Sequence, residues 1–570
     1  MAHAAGRGGY AAAARVYGTS HEHERRELGF DRRSPAPLGG GANPLPESPF
    51  LPDWLFFHAD RTPEAPAVGS PTARLSYGEL ARRVRALAGH FAATGIGPGS
   101  RVVLALPNTP ATVVAGLALN ALGATSVEVS REWSAAVLGE ITTRSRVRHA
   151  IVWGRDARTW AAALWKRPVD HVFVVHPSTV PVAFPDAFGG SPATLILDDG
   201  RIDPDIGPAP RPPAHNLELD QTAMVLYTSG STGRPHGVIQ TFQNVDANTR
   251  SIVEYLGLTA QDRALVTLPL YYCYGRSVLQ THLFAGGSVF LDNRMAFPRT
   301  VLETLASEEC TGFAGVPLTY EIIRRQVDVS TITFPRLRYL TQAGGAMTPD
   351  TISWVRTAFQ PAKLFVMYGQ TEATARLSYL PPDRAEDKAG SIGIPIPGVE
   401  LRVVDEHGRE LLPGEVGELV ARGPNVTPGY LDEPKETEAI LRDGWLWTGD
   451  LAERDDEGFL YHRGRVKDIL KIGGHRVSPV EIEQVIARHP GVAEAAVVGV
   501  KDTLMGEVPR AVVVPRPGAT PSAAELLQFC RERLPAYQVP VTFVLVEALP
   551  RTESGKLLRA ELAARYGRER

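Results

Sequence analysis

From Leu51 onward, apolar and polar positions follow two alternating periods. "LSYGELARRVRALAGHFAATGI" places apolar residues at helical spacing, "GPGS" interrupts it, and "RVVLALPN" is an apolar run of strand length. A helix is expected from Pro110, then the strand "TSVEVS", another helix and the strand "HAIVWG". Strands alternating with helices predict βαβ units and a mainly parallel sheet. A Pro-rich connection from "VFVVHPSTVPVAFPDAF" to "RIDPDIGPAPRPPAHN" precedes a second α/β stretch, through "RALVTLPL", "GGSVFLD", "CTGFAGVP", "LRYLTQAGG" and "KLFVMYG". After about Ser391 the texture becomes β punctuated by glycine, and from Lys467 helix and strand alternate compactly to the end. The expected architecture is α/β: a tail over 1–48, a large N-terminal domain of α/β layers with a β-rich subdomain over 49–466, and a small α+β domain over 467–570.

Composition narrows this little. A chain of 570 residues exceeds what one core supports, so more than one domain is expected. A net charge of −3 supplies no electrostatic reason for nucleic acid or an anionic membrane as partner. Cys273, Cys310 and Cys530 lie far apart, which argues against a disulfide framework or structural zinc and fits a reducing compartment. No apolar core backs Arg7 and Arg15, so a secretory signal is not expected. "ATVVAGLALNALGATSV" is broken by Asn120 and reads as a buried helix, not an integral membrane segment. A cytoplasmic address follows as the expectation.

Candidate chemistry begins at "YTSGSTGRPHGV", residues 227–238. A turn made of Thr228, Ser229, Gly230, Ser231, Thr232 and Gly233 can aim successive backbone N–H groups at one point, with hydroxyls as further donors. That is an anion-binding nest suited to polyphosphate. A plain Gly/Ser linker is the alternative, but a strand-like run precedes the loop and a helix-like segment follows it. Neither a GxxxxGK[ST] loop nor a GxGxxG fingerprint is present.

Six further stretches follow in order: "AGGAM" (343–347), "YGQTEA" (368–373), "GELVARG" (417–423), "WTGD" (447–450), "GRVKDILKIGGHRVSP" (464–479) and "PRTESGK" (550–556). With the opening loop, they resemble the adenylate-forming (ANL) superfamily over nearly all of the chain from about residue 50 to 566. The resemblance implies a stand-alone acyl-CoA synthetase or acyl-AMP ligase with a small mobile C-terminal domain. A carboxylate attacks the α-phosphate of ATP, giving acyl-AMP and pyrophosphate, and a thiol then takes the acyl group.

The resemblance also implies roles. Tyr368, Gly369, Gly344, Gly345 and Ala346 form a flat slot for adenine, since small residues let the backbone approach a ring. Thr371 donates to the α-phosphate, and Glu372 holds Mg²⁺, which favours carboxylate plus phosphate oxygens. Asp450 accepts the ribose hydroxyls, and Arg465 reaches ribose or phosphate from the other side. Lys556 is the adenylation catalyst, its ammonium bridging the attacking carboxylate and the α-phosphate. Lys467 matches a hinge about which the C-terminal domain turns, bringing either Lys556 to the nucleotide or Gly473 and Gly474 to a thiol tunnel; a solvated loop lysine is the alternative. His236 departs from the pattern, because relatives carry lysine there, and an imidazole is not a permanent cation.

Tyr272, Tyr274, Gly275, Gly315, Val316 and Ala343 fall where the family builds its acyl pocket. No acid occurs between Pro269 and Leu279 to hold an ammonium, so an aryl or medium-sized aliphatic carboxylic acid is expected over an amino acid. The acceptor is CoA, a carrier protein's phosphopantetheine or a free amine. The non-enzymatic rival is a nucleotide-binding sensor on the same fold.

Overall fold

The computed structural model describes residues 44–164, 169–176, 192–201, 216–228, 234–473, 475–551 and 557–567. Residues 1–43, the loop 229–233, Gly474 and Lys556 lie outside them.

Local signals start the helices where the periodicity places them. Ser76 accepts from Glu79 N while the Glu79 carboxylate accepts from Ser76 N at 3.0 Å, a reciprocal cap that opens the helix Tyr77–Ala93. Pro110 occupies the first turn of the helix Pro110–Ala121, where a missing N–H costs nothing. That helix is apolar all round and almost wholly buried, and Asn120, which breaks the run, donates to the Ala223 carbonyl at 2.8 Å.

Among the described residues the strands form four sheets. The first has seven strands in the order Ala193–Leu197, His171–His176, His149–Trp153, Arg101–Ala105, Thr125–Glu128, Thr222–Thr228, His236–Thr241. All of its pairings are parallel except the last. Side chains divide with period two: Val102, Leu104, Ile151 and Phe173 enter one core, and Val103, Ala105, Val152 and Val174 enter another with Trp160. A parallel sheet covered on both faces needs such unbroken apolar runs. The first core also contains Ala264, Val266, Val289 and Leu291 of a nine-stranded sheet, together with the helices Leu51–Arg61, Tyr77–Ala93, Pro110–Ala121, Phe242–Leu256 and Cys273–Ala285. Two sheets and these helices therefore close around one core.

Two expectations require correction. The Pro-rich connection contributes the last two strands at one side of the first sheet, His171–His176 and the edge strand Ala193–Leu197, because its "VFVV" and "TLIL" runs extend the parallel ladder. The loop after Thr228 leads into the strand His236–Thr241, not directly into a helix. Gly237 packs closely in this hairpin: a Cβ there would lie 3.0 Å from Cζ of Tyr227, its partner across the pair, and 3.0 Å from Val225 Cγ1. The helix Phe242–Leu256 follows, capped by Thr241 and Asn244.

A third, antiparallel sheet contains Glu400–Val404, Val416–Arg422, Trp445–Arg454 and Leu460–Arg465. The fourth, near the C-terminus, is built on the long pair Val492–Asp502 and Gly506–Pro515. Ser478 donates to the Arg463 carbonyl, and Arg516 meets Asp350 at 3.2 Å, so this last sheet rests on the rest of the molecule through polar contacts.

Candidate active site

Strand ends from the second and third sheets converge on Asp450. Its Oδ2 accepts from Tyr368 Oη at 2.6 Å and its Oδ1 from Arg465 Nε at 2.7 Å, with His462 Nε2 at 3.6 Å. Burial alone would raise the Asp450 carboxyl, but His462, Arg465 and Tyr368 outweigh it and hold the group well below the usual carboxylate range. The Tyr368 phenol is pushed far up by burial and by the Asp450 charge, so it stays a neutral donor. Each carboxylate oxygen has a second lone pair, which leaves Asp450 able to accept two further donors.

His462 was not anticipated from the sequence, for a geometric reason. Strand alternation puts residues 462 and 465 on opposite faces. A bulge opposite Leu451 and Ala452, where Gly464 adopts φ 117°, leaves Arg463 unpaired and turns both side chains toward Asp450.

A second cluster forms around the short turn Thr371–Ala373. The Glu372 carboxylate accepts from Tyr430 Oη at 2.8 Å, and the Tyr430 ring lies against the His236 ring with centroids 5.1 Å apart. His236 Nδ1 meets Glu433 Oε2 at 2.5 Å, and Arg144 pairs with the other oxygen of Glu433. The imidazole at the departure from the pattern thus carries its own carboxylate. Tyr430 and Glu433 escaped the sequence reading because nothing near them in the chain marks a site; only the fold brings them to Glu372 and His236. The Arg465 guanidinium is raised by Asp450, Tyr368 and Glu372 despite burial, so its field reaches both clusters.

Thr371 is buried and donates to Cys273 Sγ at 3.5 Å, and burial raises that thiol. This contact ties the turn to the helix Cys273–Ala285 and the candidate acyl wall. Gly344, at φ 85°, sits under Tyr272: a Cβ there would be 2.8 Å from Tyr272 Oη and 3.3 Å from Val316 Cγ1. Ala343 and Val316 are buried beside them. The space at Gly345 is open, with Pro317 Cγ at 3.5 Å as the nearest atom to a Cβ, and Ala346 is exposed. Gly275, Gly315 and Gly369 are filled by protein instead: a Cβ would overlap the Pro269 carbonyl, Tyr320 and the Ala375 carbonyl respectively. Tyr274 is buried, donates to Thr341 Oγ1 at 2.7 Å, and is pushed up to about 12 by burial.

The remaining predicted residues stand apart. Thr228 pairs with His236 across the hairpin, at the edge of the loop that lies outside the described residues. Lys467 sits in the short turn Val466–Asp468, directly after Arg465. Gly473, at φ 55°, donates its N–H to the Met505 carbonyl at 2.8 Å within the C-terminal sheet.

The chain is similar to known proteins over most of its length. The model of the AMP-binding enzyme family matches residues 55–431, and that of the AMP-binding enzyme C-terminal domain matches residues 481–556. A feruloyl-CoA synthase of an Amycolatopsis species is 34% identical over 519 residues, 91% of this chain and 99% of that protein. A 2-succinylbenzoate–CoA ligase of Bacillus licheniformis is 32% identical over 515 residues, 90% of this chain and 99% of that protein. Among solved structures, an o-succinylbenzoate CoA synthetase of Bacillus subtilis bound to its acyl-adenylate intermediate superposes with a TM-score of 0.76 at 30% identity, covering 90% of this chain and 98% of that one. The chain belongs to the AMP-binding enzyme family. It is an ATP-dependent acid–thiol ligase of the acyl-CoA synthetase type within the adenylate-forming superfamily.

Proposed function

We propose that this enzyme activates an aryl or medium-sized aliphatic carboxylic acid as acyl-AMP, with release of pyrophosphate, and transfers the acyl group to CoA. The reading rests on one observation: an ionised carboxylate at Asp450 accepts from both Tyr368 and Arg465, while a second carboxylate at Glu372, held by Tyr430, follows Thr371, whose contact with Cys273 reaches the candidate acyl wall.

In this reading Asp450 accepts the ribose hydroxyls on its open lone pairs, and Tyr368 and Arg465 hold it ionised and oriented. Arg465 keeps a permanent positive charge where phosphate charge gathers. Glu372, fixed by Tyr430, suits Mg²⁺, which takes one carboxylate plus phosphate oxygens; among the described residues no cluster of three or more acidic, His or Cys groups offers an all-protein cage. Mg²⁺ bound there would neutralise phosphate charge. Lys556, delivered by a C-terminal domain turning about Lys467, would stabilise the charge that builds on the α-phosphate as the acid attacks. The loop 228–233 would hold the phosphates through backbone N–H groups, and His236, kept against Tyr430 by Glu433, would donate to the leaving pyrophosphate. Gly473 and Gly474 would then line the path of the thiol.

ATP–pyrophosphate exchange over a panel of carboxylic acids tests the first half-reaction. Exchange is expected with some acids and with no amino acid; silence with every acid would leave the nucleotide-sensor alternative standing. Offering CoA, a phosphopantetheinylated carrier and simple amines to the positive acids tests the acceptor, with CoA expected to be consumed. Among the described residues no helix is long and apolar enough to cross a membrane.

A further inference from the structure

Arg376 is 3% exposed, yet no carboxylate pairs with it among the described residues. Its Nε lies 3.3 Å from Met367 Sδ, one Nη donates to the Ala375 carbonyl at 3.1 Å, and its guanidinium stacks over the Tyr274 ring at 4.1 Å. These contacts position the cation without neutralising it. The buried Arg276, on the same helix as Tyr274, does have an acid: it meets Glu128 at 2.5 Å.

The guanidinium faces a small cavity also lined by Tyr255, Tyr274, His282, Thr341 and Met367. Tyr274 belongs to both this cavity and the candidate acyl wall, and the lining residues Ala314 and Thr341 lie on the strands Gly312–Gly315 and Tyr339–Gln342, which lead to Val316 and Ala343. The cavity therefore adjoins the candidate acyl site at Tyr274. His282 supplies no compensating charge: it is neutral from burial, with Nδ1–H donating to the Val278 carbonyl at 2.8 Å and Nε2 accepting from Tyr339 Oη at 2.9 Å. A buried charge without a counter-ion is costly, and a ligand that brings the missing anion is favoured over an apolar one of equal size.

We infer that the acid carries a second carboxylate at the end remote from the one activated, and that Arg376 selects for it. The inference rests on the acid-activating reading above and narrows its substrate class.

The test compares matched acids in pyrophosphate exchange: adipate with hexanoate, and 3-(4-carboxyphenyl)propanoate with 3-(4-methylphenyl)propanoate. The wild type is expected to favour the dicarboxylate of at least one pair by tenfold or more in kcat/KM, since a charge-assisted hydrogen-bonded pair is worth roughly tenfold to a hundredfold. Arg376→Met is expected to lower that ratio at least tenfold, with Arg376→Lys falling between. A wild type that prefers the neutral acid in both pairs overturns the inference even if Arg376→Met does not fold, and so does a folded Arg376→Met with an unchanged ratio. Exchange confined to neutral acids removes this inference alone; no exchange with any acid removes the acid-activating reading as well.

Discussion

Arg465 and Asp450 stand directly opposite each other across one antiparallel strand pair, with the guanidinium Nε 2.7 Å from the carboxylate. Asp450 is buried and shares its other oxygen with Tyr368. Removing the carboxylate therefore strands a largely buried cation and a phenol donor together. Asp450→Ala is expected to cost roughly 3 kcal/mol in urea unfolding and to raise the ATP KM at least tenfold, whereas Tyr368→Phe removes one donor and costs about 1–2 kcal/mol. Equal small losses in both variants would contradict a coupled triad.

The glycines of the proposed nucleotide slot separate into two kinds. A side chain at Gly369 would collide with the fixed Ala375 carbonyl, while one at Gly345 would make only ordinary contact with Pro317. Gly369→Ala should destabilise the fold by at least about 2 kcal/mol. Gly345→Ala should leave the thermal midpoint nearly unchanged, within about 0.5 kcal/mol, and raise the ATP KM by crowding the base. If Gly345→Ala bound ATP like the wild type, the adenine slot would have to lie elsewhere.

Lys556 is proposed for the first half-reaction only. Lys556→Ala is expected to slow pyrophosphate exchange about a hundredfold or more. Thioester formation from acyl-AMP added in place of ATP should change by less than about threefold, because that step asks nothing of the α-phosphate cation. A variant with unslowed exchange would remove the lysine from the chemistry.

Stability should decline on mild acidification. Burial lowers His58, His149 and His282 below their ordinary value of 6.5. As pH falls below 6.5 the unfolded chain takes up protons that the folded chain refuses, so the contribution is fully present above that pH and is lost toward the folded values. Glu128, Asp246, Glu418 and Glu481, all raised by burial, act in the opposite sense. The informative measurement is thus the difference between wild type and His282→Gln in urea midpoint from pH 7.5 to 5.5. The variant is expected to show the shallower fall, by up to about 1.4 kcal/mol per pH unit. Parallel curves would mean that His282 does not titrate with unfolding.

Much of this protein was legible in one dimension. The apolar runs of the two large sheets and motifs such as "YGQTEA" and "WTGD" are local, because a strand's alternation or a turn's glycine is set by residues within a few positions. Chain order alone could not supply the partners. The bulge that turns His462 toward Asp450, the approach of Tyr430 to Glu372 from 58 residues away, the Glu433 that claims His236 across 197 residues and the cavity behind Tyr274 all depend on pairings between distant parts of the chain. Long-range pairing of this kind is set by the packing of whole layers, and no local propensity encodes which side chains will then be neighbours.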